Sequence, residues 1–346
     1  MSRLPKVVML AALVTLLLAC SVPNKESLVS GDRFDTPDPS TSLSTESGDD
    51  VADESVLQDL EHLDQVFETI AQTSYPPVPG RLKVEFIAPL PAELNESSGL
   101  AMHQGTVWTM NDSGNSAALY EISQESGSIL RRVHPLNSEN RDWEALAQDD
   151  QHLFIADCGN NRGDRRSFQI YSVPWQELHQ SKHRGVVSSS RLDITLADTR
   201  PESRLHAHNN DCEALAHVDD ELWLFTKNWK DQATRLYRVD KTKPKQSPTA
   251  SATYPVKGLI TAADFDADSR RLVLLGYRIG FLSVSSFVWI IPVPEEGQLP
   301  DWQSASYHRL EPAGQWEAIL WHQGDLWLTR ERSVLGGAQL AKINLP

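Results

Sequence analysis

The sequence predicts an all-β protein, a five-bladed β-propeller preceded by one amphipathic helix. From residue 81 onward, runs of β-branched and aromatic residues alternate with Gly, Asn, Asp and Ser turns, and helical periodicity is nearly absent. Within this region five segments align with one another through a hairpin. Self-similarity of this kind is typical of repeat folds in which each repeat is one supersecondary unit.

The repeat spacing matches propeller blades. The five segments are 97–112, 143–158, 212–227, 262–277 and 316–331. Equivalent apolar residues at the start of the second strand are 46, 69, 50 and 54 residues apart. A four-stranded blade occupies roughly 40–50 residues, so the second interval indicates a loop insertion. A third strand follows each hairpin, and a fourth follows all but the last.

Residues 82–90 supply the strand that the last repeat lacks. This segment precedes the first repeat and has no blade of its own. We therefore expect it to complete the last blade and tie the ring shut, as propellers commonly do by closure. A sixth blade within 174–210 is the alternative, although that stretch offers a single good strand.

The N-terminus predicts export and lipid anchoring. Arg3 and Lys6 precede an apolar run, 7–18, that is short for a membrane span. The run ends in Leu-Leu-Ala-Cys, which resembles the lipobox of bacterial lipoproteins, where the signal peptide is cut before a cysteine that is then lipidated, with palmitate among its acyl groups. The signal peptide would cover 1–19 and the lipid would be on Cys20. By resemblance to bacterial sorting rules, Ser21 favours the outer membrane of the cell envelope.

Two more segments precede the propeller. Residues 20–55 are rich in Ser, Thr, Asp, Glu and Pro, a composition that predicts a disordered tether. Over 56–74, apolar residues recur at alternating intervals of four and three, which predicts an amphipathic helix. That helix either packs on the propeller, expected over 81–346, or binds a partner.

The net charge excludes two classes of partner. The formal charge is −15 at pH 7, whereas proteins that bind nucleic acid or anionic lipid surfaces normally carry the opposite sign. The membrane would therefore be reached through the lipid anchor alone. Divalent cations and cationic groups are better suited to this chain.

The repeats predict a cluster of acids on the ring axis. The first strand of each blade lines the central channel of a propeller, and one aligned position holds Ser98, Glu144, Glu213, Ala263 and Glu317. Two residues earlier, on the same face of the strand, are Glu96, Asp142, Asp211, Thr261 and Gln315. Carboxylates that face one another in a narrow tube repel, and a bound cation relieves the repulsion.

Oxygen ligands without His or Cys favour Ca²⁺. The sequence therefore predicts an axial calcium site with Glu144, Glu213, Glu317 and Ser98 as ligands. The alternative is that the glutamates pair with Arg or Lys, or cap backbone amides.

The second strands of the hairpins return to the same face of the ring and predict a mouth. Together with polar loops they would form a concave funnel around the acidic centre, where propellers bind ligands. The candidate ligand-binding residues are Glu96, Asn111, Asp112, Asp142, Asp157, Asp211, Lys227, Arg330 and Glu331. Taken singly, several of these are also ordinary turn residues.

Cys158 and Cys212 fall at the same end of neighbouring blades. A disulfide is geometrically possible there, and disulfides persist in exported proteins. Two buried thiols are the alternative.

The repeat cores "ESSGLA", "DWEALA" and "DCEALA" resemble a group of bacterial secreted propeller proteins of unassigned function and, more loosely, phytase-like esterase and SdiA-regulated-type propellers. The axial acids are similar to those of five-bladed calcium-activated apyrases. The resemblance covers most of 82–346. It implies calcium near Ser98, Glu144, Glu213 and Glu317, and it supplies no catalytic set.

Two functions from different classes follow. One is a lipid-anchored binding module, with calcium holding the ring and the mouth contacting a small molecule, glycan or protein. The other is a calcium-dependent hydrolase of phosphoesters or esters, in which Lys227 or Arg330 stabilises developing negative charge. The sequence shows no nucleophile–base pair, so it favours the binding module without deciding whether the protein is an enzyme.

Overall fold

The strands of the computed structural model, which describes residues 80–280 and 283–345, form five separate sheets. Blade 1 contains β3 (Ser97–His103), β4 (Thr106–Asn111), β5 (Leu119–Ile122) and β6 (Ile129–Pro135). Blade 2 contains β7 (Trp143–Gln148), β8 (His152–Asp157), β9 (Phe168–Pro174) and β11 (Ser190–Ile194). Blade 3 contains β12 (Asp211–Val218), β13 (Glu221–Lys227), β14 (Thr234–Asp240) and β16 (Ala252–Tyr254). Blade 4 contains β17 (Leu259–Asp266), β18 (Arg271–Gly280), β19 (Ser283–Pro292) and β20 (Ser306–Glu311).

Blade 5 contains β21 (Trp316–His322), β22 (Asp325–Arg330), β23 (Gln339–Ile343) and, from the N-terminal side, β2 (Glu85–Pro89). Three further strands are β1 (Gly80–Lys83), β10 (Gly185–Val187) and β15 (Lys245–Gln246). The helical elements are α1 (Trp175–Gln180) and two 3₁₀ turns, Ala92–Leu94 and Trp302–Ser304. In the part of the chain just described, no helix is both long and apolar enough to cross a bilayer.

The inner strands close a ring of five. Each packs against the inner strands of two neighbours, in the order β3, β7, β12, β17, β21 and back to β3. The predicted five-bladed propeller is therefore confirmed. The alternative of a sixth blade within 174–210 is wrong, because β11, in that stretch, is the outer strand of blade 2. The signal peptide (1–19), tether (20–55) and amphipathic helix (56–74) lie outside the described residues.

The N-terminal segment completes the last blade, as predicted, but as two strands. β2 pairs antiparallel with β23 of blade 5, whereas β1 pairs parallel with β20 of blade 4. The segment therefore ties two blades together. Backbone pairing does not run from one sheet to the next around the ring, so side-chain packing must hold the blades to each other.

The outer edges of three blades are covered by strands from elsewhere in the chain. β10, β15 and β1 each pair parallel with the outer strand of a blade, and each precedes the outer strand of the following blade. Unpaired edges promote aggregation, and covering them is a common protection. The sequence repeats do not predict these short strands, because they belong to loops between repeat elements.

The hydrophobic core is divided among the blade interfaces. Five clusters of buried side chains each join two adjacent blades, including the pair formed by blades 5 and 1. Trp108, Trp143, Trp223 and Trp316 are among their fully buried residues. Each large ring removes apolar surface from water, so the ring is stabilised by burial at every interface.

The inner hairpins share one irregularity that sets the site. In all five, a β-bulge between the first two strands leaves one residue unpaired near the start of the inner strand. These residues are Ser98, Glu144, Glu213, Thr261 and Glu317. Bulges re-aim side chains and are common next to functional sites.

The fourth member of this set corrects the sequence alignment. The ungapped alignment places Ala263 with the glutamates, whereas the bulge makes Thr261, two positions earlier, the equivalent residue. The cause is the hairpin turn. Blade 4 pairs Asp266 with Arg271 across four residues, whereas the equivalent turn of blade 3 contains two.

Cys158 and Cys212 form a disulfide between blades 2 and 3, with Cα atoms 5.3 Å apart and a separation of 54 positions in sequence. Cross-linking a loop of this length restricts the unfolded chain. Replacing both cysteines with serine is expected to lower the free energy of unfolding by about 4 kcal/mol. Urea denaturation of the two proteins tests this value. Wild type in reductant should match the double variant, and equal stability of the oxidised wild type and the variant would contradict the prediction.

Candidate functional site

Two layers of side chains surround the axis at the mouth of the ring. The first layer is the set of bulged residues on the inner strands. The second layer lies on the second strands. In each blade the residue just before the bulge pairs with a residue of the second strand, and the layer member is the next residue along that strand. The members of this layer are Asp112, Cys158, Lys227, Tyr277 and Glu331. Seven members of the two layers line one axial pocket, whereas Cys158 of the second layer is held in the disulfide with Cys212.

A small pocket, with a free volume of about 10 Å³, lies where the two layers meet. It is lined by Ser98, Asp112, Glu144, Asn161, Glu213, Lys227, Glu317 and Glu331. All four predicted metal ligands are in this set, and so are three predicted mouth residues. Drug-sized ligands occupy about 300–1,000 Å³, whereas about 10 Å³ is the space of a single water molecule, so the pocket suits one ion and not a large organic substrate.

Three carboxylates in and beside the pocket form a tight group. Asp112, Asp142 and Glu144 each offer an oxygen, and these oxygens all lie within 4.8 Å of one another. Asp142 is fixed by its backbone, since its N–H donates to Asp157 Oδ1 at 3.0 Å and its carbonyl accepts from the N–H of Gly159 at 3.0 Å. The group is therefore built from the start of β7 and the end of β4.

Gly159 packs directly against this group. A Cβ at this position would lie 2.2 Å from Glu144 Oε1 and 2.4 Å from Asp142 Oδ2. Contacts this short are not possible, so the two carboxylates hold their positions because residue 159 has no side chain.

Burial and mutual repulsion disfavour the charged forms of these acids. Burial and the charge of Asp211 raise the pKa of Asp142 to about 7, and burial raises the pKa of Glu317 to about 7. Burial together with neighbouring carboxylates holds the pKa values of Asp112, Glu144 and Glu331 well above their usual range. A positive charge in the pocket would remove this cost.

Glu317 lines the pocket and has an unsatisfied carboxylate oxygen. The residue is 4% exposed, and its Oε1 has no hydrogen-bond partner among the described residues. Buried polar atoms are almost always paired. Glu331, by contrast, accepts a hydrogen bond from Gln315 at 2.7 Å.

Lys227 carries the positive charge among the pocket-lining residues. Its Nζ lies 3.2 Å from Glu213 Oε2 and sits over the rings of Trp229 and Tyr277, 5.1 and 5.5 Å from their centroids. Burial opposes this charge, but the attraction of Glu213 and other acids outweighs burial and raises the pKa of Lys227 well above its usual value. For Glu213 the alternative prediction therefore applies, because this glutamate pairs with a lysine.

Ser98 and Thr261 have a different role from the bulged glutamates. The Ser98 hydroxyl donates to the carbonyl of Glu144 at 3.0 Å, and the Thr261 hydroxyl donates to the carbonyl of Trp316 at 2.9 Å. Each bond joins one inner strand to the next, so these hydroxyls hold neighbouring blades together. Ser98 still lines the pocket, as predicted.

The other predicted mouth residues serve the walls of the pocket. Asp157 pairs with Arg165 at 2.8 Å. Asp211 accepts from the backbone N–H of Asn160 at 2.6 Å and from the indole of Trp229 at 2.7 Å. Asn111 donates to the carbonyl of Glu93, Glu96 accepts from Asn115, and Arg330 donates to the carbonyl of Gly337.

Asn161, Gly159 and Trp229 are site residues that the repeat pattern does not reveal. Asn161 lines the pocket from the loop after β8, and that loop has no counterpart of equal length in the other blades. The Gly-Asn-Asn sequence at 159–161 marks a polar turn, and nothing in it indicates which side chain faces the axis.

No family model and no curated protein match this chain. Among solved structures, U3-55K is 10% identical with a TM-score of 0.40, covering 78% of this chain and 100% of that one. The WD40 domain of Neurospora crassa Pan2 is 7% identical with a TM-score of 0.39, covering 78% and 98%. The computationally designed Ika8 protein is 9% identical with a TM-score of 0.32, covering 75% and 100%.

Likeness at this level carries no argument about activity or partners. The assignment of a five-bladed propeller rests on the strand pairing and on the cyclic order of the inner strands. The resemblance to phytase-like esterase, SdiA-regulated-type and apyrase propellers gains no support from these matches and stays a prediction.

Proposed function

We propose that this protein is a propeller binding module that holds one divalent cation, Ca²⁺, in its axial pocket. The observation that carries the proposal is the group formed by Asp112, Asp142 and Glu144, whose oxygens lie within 4.8 Å of one another. Oε1 of Glu317, which has no hydrogen-bond partner among the described residues, also supports a cation site. Oxygen donors without His or Cys suit a hard cation.

The donor set fits calcium better than magnesium. Ca²⁺ takes six to eight oxygens in flexible geometry, whereas Mg²⁺ demands a near-ideal octahedron. Asp112, Asp142 and Glu144 would supply the charged ligands, and Asn161 and water the neutral ones. Bound calcium would supply positive charge that screens these carboxylates from one another and joins blades 1 and 2.

The cellular setting is proposed from the N-terminal sequence. Cleavage before Cys20 and lipidation of that residue would anchor the propeller in the cell envelope, at the outer membrane, on the tether formed by 20–55. The mouth would then be presented to a small molecule, glycan or protein.

Thermal unfolding of the purified full-length protein in calcium and in EDTA tests the cation site. At a calcium concentration about 100-fold above Kd, binding stabilises the folded state by about 2.7 kcal/mol. For a domain of this size that corresponds to a rise in Tm of roughly 5–10 °C. Glu144→Gln is expected to abolish the rise, because it removes a charged ligand. The matched control Glu125→Gln changes an exposed residue outside the pocket and should respond like wild type.

Equal Tm values in calcium and EDTA would refute the cation site. A rise that persists in Glu144→Gln would place the ion elsewhere. Magnesium at the same concentration should give a smaller rise than calcium.

A calcium-dependent hydrolase is the second candidate, favoured by the position of Lys227 in the pocket. An ammonium beside a divalent cation can stabilise negative charge that develops on a phosphoester or ester. Arg330 does not share this role, since its guanidinium donates to the carbonyl of Gly337. Phosphoester and ester panels assayed on the same samples distinguish the candidates, because turnover that EDTA abolishes would favour the hydrolase.

A further inference from the structure

Charge is distributed unevenly around the pocket. Blades 1, 2 and 5 contribute Asp112, Glu144, Glu317 and Glu331. Blades 3 and 4 contribute the Glu213–Lys227 ion pair to the same two layers, together with Thr261 and Tyr277. One side of the pocket therefore presents carboxyl groups with no cation among them, whereas the other already contains a cation.

The ammonium of Lys227 is held in place from several directions. It is 4% exposed, lies 3.2 Å from Glu213 Oε2, and is covered by the rings of Trp229 and Tyr277. Trp229 is itself fixed, since its indole donates to Asp211 at 2.7 Å. Cation–π contacts strengthen when the cation is desolvated, as it is here.

We propose that Lys227 is a resident cation that takes the place of a second metal ion and fixes the calcium stoichiometry at one. Glu213 is then the counter-ion of Lys227 and not a metal ligand. The divalent ion binds at Asp112, Asp142 and Glu144, which belong to blades 1 and 2. This inference rests on the proposed calcium site, and it changes the ligand set that the repeats predict, in which Glu144, Glu213 and Glu317 share one ion.

Two facts place the vacant coordination at groups other than Glu213. The three clustered carboxylates belong to blades 1 and 2, and the unpartnered Oε1 of Glu317 belongs to blade 5. Glu213, by contrast, has its charge matched at ion-pair distance. A divalent ion close to the ammonium would be repelled strongly in so buried a site.

Isothermal titration of calcium into four full-length proteins tests the inference. Wild type is expected to bind one ion. Lys227→Met should bind the first ion at least about tenfold more tightly, because the repulsion is gone, and should bind a second ion through the freed Glu213. The double variant Glu213→Gln, Lys227→Met removes one negative and one positive charge together. One ion should therefore bind, with an affinity within about threefold of wild type. The matched control Lys230→Met removes an exposed lysine from the adjacent loop and should match wild type.

The outcomes separate the two proposals. A wild type that binds no calcium overturns the proposed function. A wild type that binds one ion, with unchanged stoichiometry and affinity in Lys227→Met, overturns the role of Lys227 and leaves the calcium site intact. Loss of binding in the double variant also overturns that role, because it makes Glu213 a ligand. If Lys227→Met does not fold, as judged by circular dichroism, the double variant decides between these results.

Discussion

Replacement of Gly159 with alanine is expected to abolish the calcium-dependent rise in Tm. The new methyl group would lie 2.2 Å from Glu144 Oε1 and 2.4 Å from Asp142 Oδ2, so both carboxylates must move. They are two of the three clustered carboxylates that we propose as ligands, and a site loses affinity when its ligand atoms are displaced from their productive geometry. The expected loss is the full shift of roughly 5–10 °C predicted for wild type.

Gly337→Ala is the matched control. A Cβ at residue 337 meets no atom within 4 Å, and this glycine does not line the pocket. Thermal unfolding of the two variants in calcium and in EDTA therefore separates a local effect on the site from a general effect of alanine. If the Gly159→Ala protein keeps the full calcium-dependent rise in Tm, then Asp142 and Glu144 do not hold the ion.

The sequence predicts most of the fold because each blade is an independent copy of one pattern. Apolar runs, turns and spacing locate the hairpins and the closing strand, and the cyclic order of the inner strands then follows from the propeller architecture. The covering strands β1, β10 and β15 escape prediction, since each has two to four residues and pairs with a partner distant in sequence. Short edge strands carry little local signal.

The sequence predicts which acids surround the site but not the uneven distribution of charge among them. Repetition alone identifies Glu144, Glu213 and Glu317 as equivalent, and all three line the pocket. It cannot show that Glu213 faces Lys227 at 3.2 Å, because that contact joins two layers on adjacent strands. The alignment assigns Thr261 to the wrong set for a related reason: an ungapped alignment assumes equal turn lengths, and the turn of blade 4 is longer.

The uneven distribution of charge around the pocket also explains how the chain can fold stably around an acidic axial site. Lys227 neutralises part of the pocket permanently, so the folded chain carries fewer unmatched charges before any ion binds. The remaining acids are then matched by protons or by a divalent cation. Stability and calcium affinity should consequently depend on pH together.

Raising the pH is expected to destabilise the calcium-free protein. In the folded state the pKa of Asp142 rises from 3.8 to about 7 and that of Glu317 from 4.5 to about 7. A carboxyl with a raised folded-state pKa contributes stability that is present below its unfolded pKa and is lost as the pH rises through the folded value. The window therefore runs from about pH 4 to about pH 7, and the loss is a few kcal/mol.

Calcium should reverse this trend, because the ion binds deprotonated carboxylates and binding releases protons. The stabilisation that calcium gives is therefore expected to grow from pH 5.5 to pH 7.5. Urea unfolding at several pH values, in calcium and in EDTA, measures both slopes. Asp142→Asn with Glu317→Gln should reduce the slope of the EDTA curve, since neither new side chain titrates, and the other buried acids should account for the slope that is left. A calcium-free protein whose stability rises with pH across this window, or a calcium effect that is the same at pH 5.5 and 7.5, would show that the pocket acids neither store protons nor exchange them for the ion.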